Sequence, residues 1–425
     1  MAYQDQPRLP SAIICMMYPQ ELIDKILDYL HDSPSALKEC SLVSRQFYPR
    51  TRIHLFRYVD CRDPLSPRLF GIAHSPELLQ CIKRVQFRCC DFFNPSPVEF
   101  LHSLLSSVTL CIWNDGAYVG HPGEKCEWRH ILPPFVSSAP YLAITRLELK
   151  GPRWNTFLEF HHIVLSLPNV TELHISGLTE LSTNDMPVVP APAAPRIKKM
   201  CFHVSWSTVL IFWEGLRSYR SVYLDHLEEF HAIKLPLDGL CAVVQTANLA
   251  SSRLNVLEID CVWYFTDLLA PNISPLHLNP NIELRVGIEL NDDMLQFICW
   301  WVKCFKAVEK ESTVMERLTI KLAGRGNYVT PEQLEPLKSA FEELSELLSQ
   351  LVRNVDLVLQ LKDYDAHSGL CTDCLRSAII DACKMLKGKA NLRVFEMTEH
   401  TYDVPVSPFP QELENFSPED IESWP

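Results

Sequence analysis

The chain has no unbroken apolar run near the roughly 18 to 20 residues that a membrane-spanning helix needs. The stretch Ala12–Met17 is too short for a signal-peptide core and lacks a basic flank and a small-residue cleavage site. Basic charge is also short. Lys and Arg number 39 against 52 Asp and Glu, a formal net charge of −13. Phosphate backbones need a basic surface, so no nucleic acid is expected as a partner. The small cluster Arg196, Lys198 and Lys199 reads as solvated positions beside a buried strand. Glycine is scarce, at 13 residues. Gly116, Gly120 and Gly123 fall within Cys111–His130, which reads as an inserted loop. Gly324-Arg325-Gly326-Asn327 is too short for a phosphate cradle and lacks the lysine, so it reads as a turn. There is no G-x-S-x-G, H-E-x-x-H or P-loop pattern. Nothing in the sequence argues for an enzyme or a cofactor.

A hydrophobic content of 47% with 21% charged residues describes a globular chain. Its 16 cysteines are scattered through apolar stretches, as at Cys40, Cys201, Cys261 and Cys299. There they behave as small hydrophobes in a reducing compartment, which sets the expected location as cytoplasm or nucleus or both. The sequons at Asn169 and Asn272 are then accidental. His367, Cys371, Cys374 and Cys383 have a passing likeness to a metal site. Three of them fall in one helical pattern, whereas zinc ligands converge from more than one element. His121, Cys126 and His130 supply only three ligands, so no metal is expected. His161-His162 sits in a helical pattern where one neighbour can be buried and the other exposed.

Residues 1–14 and 401–425 read as tails, the second acidic and proline-punctuated. The first strong helix spans Pro19–Leu30, with Leu22, Ile23, Ile26, Leu27 and Leu30 on one face. Ser33-Pro34 stops it. A second helix runs from about Ser35 to Val43, and Ser44 suits the N-cap of a third. From about Ile82 the pattern becomes apolar-x-x-apolar-x-apolar, ending in the alternation of a half-buried strand. Ile144-Leu147-Leu149, Leu254-Leu257-Ile259 and Met315-Leu318-Ile320 are good copies. Tyr219-Val222-Leu224 and Leu392-Phe395-Met397 also match, and Ile282-Leu284-Val286 matches weakly. Amphipathic helices lie between them, the clearest being Asp292–Glu309, capped by Asp292, and Pro331–Arg353. Strand followed by helix at irregular spacing of about 25 to 40 residues is a degenerate solenoid pattern.

One segment carries a specific order of residues. It begins Pro19-x-Glu21-Leu22-Ile23-x-x-Ile26-Leu27 and continues Leu37-x-x-Cys40-Ser41-Leu42-Val43-Ser44-Arg45-x-Phe47. It closes with Arg52-x-x-Leu55-Phe56. This resembles an F-box, and with the repeats behind it most resembles fungal F-box proteins with degenerate leucine-rich repeats. The resemblance covers about a tenth of the chain. It implies an α/β fold with a small N-terminal three-helix F-box module at 15–60, followed at 61–400 by an irregular leucine-rich-repeat-like solenoid of strands and helices. It further implies a non-catalytic receptor that binds a Skp1-type adaptor, and through it a cullin scaffold of a ubiquitin ligase. Adaptor contact would fall to Pro19, Leu22, Ile23, Ile26, Leu27, Leu42, Val43, Ser44 and Phe47. The alternative is a leucine-rich-repeat binding protein that acts without ubiquitin transfer.

Physics points the same way for the first segment. A module of about 40 residues buries too little apolar surface to stand alone, and its surplus needs a partner or the following domain to cover it. In leucine-rich-repeat proteins the residue between the last two apolar positions faces the open concave side, and the resemblance implies the same here. These residues include Gln86, Glu148, His174, Cys201, Tyr223, Glu258, Thr319, Asp356 and Glu396. Glu148, His174, Tyr223, Glu258, Asp356 and Glu396 are the candidate contacts to a protein substrate. Their carboxylates suggest a partner with a basic patch.

Overall fold

The structure is a computed structural model. It describes residues 18–61, 71–88, 96–113, 140–151, 157–177, 194–203, 212–213, 215–216, 221–235, 237–261, 275–279, 281–290, 294–309, 314–325, 331–362, 372–383, 386 and 391–396. Three short helices come first: α1 (Gln20–Tyr29), α2 (Pro34–Val43) and α3 (Tyr48–Arg57). Pro34 opens α2, where its missing N–H costs no hydrogen bond. Ser44 does not cap α3. Phe47 holds that place, while Ser44 Oγ accepts from Gln46 N at 3.3 Å.

The chain passes from α3 directly into β1 (Tyr58–Asp60), then through α4 (Pro76–Cys81) to β2 (Arg84–Arg88). Next come α5 (Ser96–Ser103), β3 (Val108–Trp113), β4 (Ile144–Lys150), α6 (Phe157–Leu165), β5 (Glu172–Ser176) and β6 (Lys199–His203). The central part holds β7 (Glu229–Leu235), α7 (Leu237–Ala250), β8 (Val256–Cys261), β9 (Glu283–Leu290) and α8 (Met294–Glu309). The last part holds β10 (Met315–Arg325), α9 (Pro331–Leu351), β11 (Val352–Lys362), α10 (Thr372–Ala382) and β12 (Asn391–Glu396).

Among the described residues, all strands join one twelve-stranded sheet in strict chain order. Every neighbouring pair is parallel, from β1·β2 to β11·β12. Parallel neighbours require a crossover between them, and helices lie in that place between β1 and β2, β2 and β3, β4 and β5, β7 and β8, and along β9 to β12. This corrects the fold expected from the sequence. In place of a three-helix module with a separate, irregular leucine-rich-repeat-like solenoid behind it, there is one α/β fold on a single all-parallel sheet. Its sequential connectivity is that of parallel α/β barrels, although among the described residues β1 and β12 are edges with one neighbour each. The physical reason is that β1 belongs to the sheet and follows α3 without a linker. The variable spacing seen in the sequence lies between strands and leaves their register intact, apart from local shifts at Val108/Thr109 and Ala232/Leu235.

Period-two alternation then sorts the side chains. One row runs from Val59 through Val85, Leu110 and Leu147 to Val355 and Leu392, apolar on every strand. It packs with the buried faces of α5 to α10 in one continuous core. Aromatics fill its centre. Phe160, Phe202, Phe212, Trp213 and Phe230 pack ring against ring, mostly tilted or edge-on, at centroid separations of 5.1 to 6.2 Å. The first helices keep a small core of their own, in which Ile23, Leu27 and Leu37 are buried with Leu30, Cys40, Phe47 and Leu55 packed around them.

Candidate functional site

Two surfaces stand out, one on the opening helices and one on the polar face of the sheet. On the helices, Ile23 and Leu27 turn inward while the neighbouring stripe turns out. Leu22 is 45% exposed, Ile26 49%, Leu42 86% and Val43 72%. Of the residues assigned to adaptor contact, Leu22, Ile26, Leu42, Val43 and Pro19 are exposed. Ser44 and Phe47 are half-buried, and Ile23 and Leu27 belong to the module's own core. Tyr18, Tyr29 and Ile53 add further exposed apolar surface to the same segment. Arg50 bonds both oxygens of Asp28 at 2.6 and 2.7 Å and fixes α3 against α1. His54 Nε2 reaches the same carboxylate at 2.8 Å.

On the polar face, register lines up one residue from every strand. From β1 to β6 these are Asp60, Gln86, Cys111, Glu148, His174 and Cys201. From β7 to β12 they are His231, Glu258, Arg285, Thr319, Asp356 and Arg393. Glu148, His174, Glu258 and Asp356 are thus brought into one row. Tyr223 is not in it: it lies outside the strands, bridged to Arg196, and His231 takes its place. Glu396 is also off the row. Leu392 pairs with Val355, which puts Arg393 beside Asp356 and moves the outward position three residues upstream.

The row is not the acidic stripe suggested by the sequence. Glu148 is buried between Arg84, at 2.7 Å, and Arg146, at 2.6 Å. His231 Nδ1 lies 2.7 Å from Glu258 Oε2, and Arg285 bonds Glu283 at 2.9 Å. Lys199 pairs with Glu229. Asp356 takes Arg317 at 2.8 Å and both Arg393 donors at 2.7 and 2.8 Å. Hydrogen bonds from Arg393, then Arg317, hold the Asp356 carboxyl below its usual range. The basic partners sit on the same face as the acids, on the same or nearby strands, so spacing along the chain did not reveal them. A partner attracted by negative charge alone finds these carboxylates already neutralised.

The thiols and imidazoles of the row are not set up for nucleophilic chemistry. Burial pushes Cys111 up to about 11 and Cys201 up to about 12, the reverse of what a reactive thiolate needs. Burial, with Arg146 and Lys150 nearby, holds His174 down at about 4, against the pull of Glu148. On α6, His161 is buried and bonds Ser221 at 2.8 Å, where the fully buried hydroxyl has no path to a substrate. Among the described residues no group of three or more His, Cys, Asp or Glu is placed to hold a metal. Of the metal-like set, His367 and Cys371 lie outside the described residues, as do His121, Cys126 and His130. Among the described residues no helix is long and apolar enough to cross a membrane.

No protein-family model matches the chain, and no curated protein does either.

Proposed function

We propose that this chain is a substrate-recognition subunit of a Skp1–cullin–F-box ubiquitin ligase. In this reading the opening helices dock a Skp1-type adaptor and the polar face of the sheet holds a protein substrate. The observation that carries the reading is the exposure of Leu22 and Ile26 on α1 and of Leu42 and Val43 at the end of α2, while the core of the same three helices is already closed. Several large apolar side chains left exposed on one short segment mark a protein interface. The F-box order of residues supports the adaptor as its occupant. The chemistry needed of this chain is then proximity alone. It holds a substrate lysine near a thioester carried by another protein, which requires no catalytic group here.

The test is reconstitution with purified components. The full chain, mixed with a Skp1-type adaptor and a cullin–RING pair, co-elutes with both on size exclusion. Failure to bind the adaptor overturns the reading. Binding to the adaptor without cullin reduces it to a binding protein outside ubiquitin transfer.

A further inference from the structure

The polar face carries a second row, two residues further along the strands. It consists of Arg88 on β2, Trp113 on β3, Lys150 on β4, Ser176 on β5 and His203 on β6. From β2 to β6 it contains no carboxylate. Among the described residues, three consecutive members are donors without an acceptor. Trp113 Nε1 is buried and has no hydrogen-bond partner there. Lys150 and Ser176 are half-buried, and among the described residues their side chains form neither an ion pair nor a hydrogen bond. A buried donor without an acceptor is costly, and a ligand oxygen placed against it relieves that cost.

Position reinforces chemistry. Adjacent strands lie about 4.8 Å apart, so Lys150 stands one strand spacing from both Trp113 and Ser176. The nearest carboxylate row offers little relief, because Glu148 is engaged by Arg84 and Arg146 together. Directly after Lys150 and Ser176 come Gly151 and Gly177, with φ of 60° and 67°. A Cβ on Gly177 would stand 3.3 Å from Gly151 Cα, so the two backbones approach closely just beyond both donors.

We propose that this row is an oxyanion site for a phosphate group, held by Lys150 Nζ, Ser176 Oγ–H and Trp113 Nε1–H. Phosphate is favoured over a carboxylate because its three or more acceptor oxygens match three separate donors. The site does not depend on the adaptor reading. It gives the sheet a ligand chemistry whether or not the opening helices bind Skp1.

The experiment is isothermal titration of the full chain with inorganic phosphate at low ionic strength, without adaptor. Saturable binding is expected, weakened about tenfold in Lys150→Met and retained in Lys150→Arg, since a charge-assisted hydrogen bond is roughly twice as strong as a neutral one. Trp113→Phe keeps the ring but removes the N–H, and Ser176→Ala removes the hydroxyl. Each should weaken binding by about threefold to tenfold, the scale of one neutral hydrogen bond. A phosphoserine peptide and glycerol phosphate, titrated in parallel, identify the source. Tighter binding of the peptide supports a protein-borne phosphate, and tighter binding of the small ester supports a metabolite. Absence of saturable heat with any of the three probes overturns the proposal. So does an equal loss in Lys306→Met on α8, which would mark an adventitious ion only.

Discussion

Arg50 grips both oxygens of Asp28, at 2.6 and 2.7 Å, and by that contact ties α3 to α1. The Arg50 hydrogen bond, with help from His54, holds the Asp28 carboxyl at about 2. An unfolded aspartate titrates near 3.9. The pair therefore contributes stability above about pH 4 that is lost as pH falls toward 2. The carboxylate is 42% exposed, so salt trims the effect. Amide protection in α1 and α3, measured against the intrinsic exchange rate at each pH, should fall as pH drops from 5 to 2 at low salt. Asp28→Asn should be less protected already at pH 5 and show a smaller further loss. Identical profiles for the two proteins would show that the contact does not hold the helices together.

Two kinds of substitution separate docking from folding in this segment. Leu22→Asp and Ile26→Asp alter exposed positions, so melting temperature should hold within a degree or two while adaptor co-purification is lost. Leu27→Ala removes a fully buried side chain from the small inner core and should cost about 2 to 5 kcal/mol locally. Its effect should appear as faster exchange in α1 to α3, with the sheet untouched. Adaptor binding unchanged by both aspartates would end the docking assignment.

Much of the sheet was legible in the sequence because a half-buried strand writes an alternating pattern. Ile144-Leu147-Leu149, Leu254-Leu257-Ile259 and Met315-Leu318-Ile320 each fall where a strand begins or runs. The failures have separate causes. Tyr219-Val222-Leu224 imitates the template, yet the strand lies at Glu229–Leu235, where Leu227-x-x-Phe230-x-Ala232 fits as well and is buried. At the last strand the pattern puts Leu392 in the first apolar position, although it pairs as the second, and this exchanges Arg393 for Glu396. β3 is hidden in the sequence because Cys111–Trp113 runs straight into the glycine-bearing stretch that follows. The charge balance of the polar face could not be read by spacing along the chain, because most partners are neighbours only across strands. Arg84 and Glu148 are 64 residues apart in sequence and 2.7 Å apart in space.

That pairing makes Glu148 and Asp356 unequal. Glu148→Gln leaves Arg84 and Arg146 beside a neutral amide inside the sheet. Breaking a buried pair from one side costs about 3 to 5 kcal/mol, seen as a lower midpoint in urea. Asp356→Asn releases Arg317 and Arg393, which are about half exposed and regain water, so its cost should stay near or below about 1 kcal/mol. Equal destabilisation of the two variants would contradict the burial difference between the arginine pairs.

His174 supplies the clearest pH signature of the row. Its imidazole is held at about 4, first by burial and then by Arg146 and Lys150, while Glu148 works against them. An unfolded histidine takes its proton near 6.5. Between these values the unfolded chain binds a proton that the folded chain refuses, so stability falls as pH is lowered from 6.5 toward 4. Below about 4 both states are protonated and this contribution no longer changes. Proton NMR should place the His174 midpoint near 4. Urea unfolding at pH 7, 5.5 and 4 should show a declining midpoint that flattens in His174→Gln. A His174 midpoint at 6 or above would mean that water reaches the ring and that this part of the polar face is more open than its packing indicates.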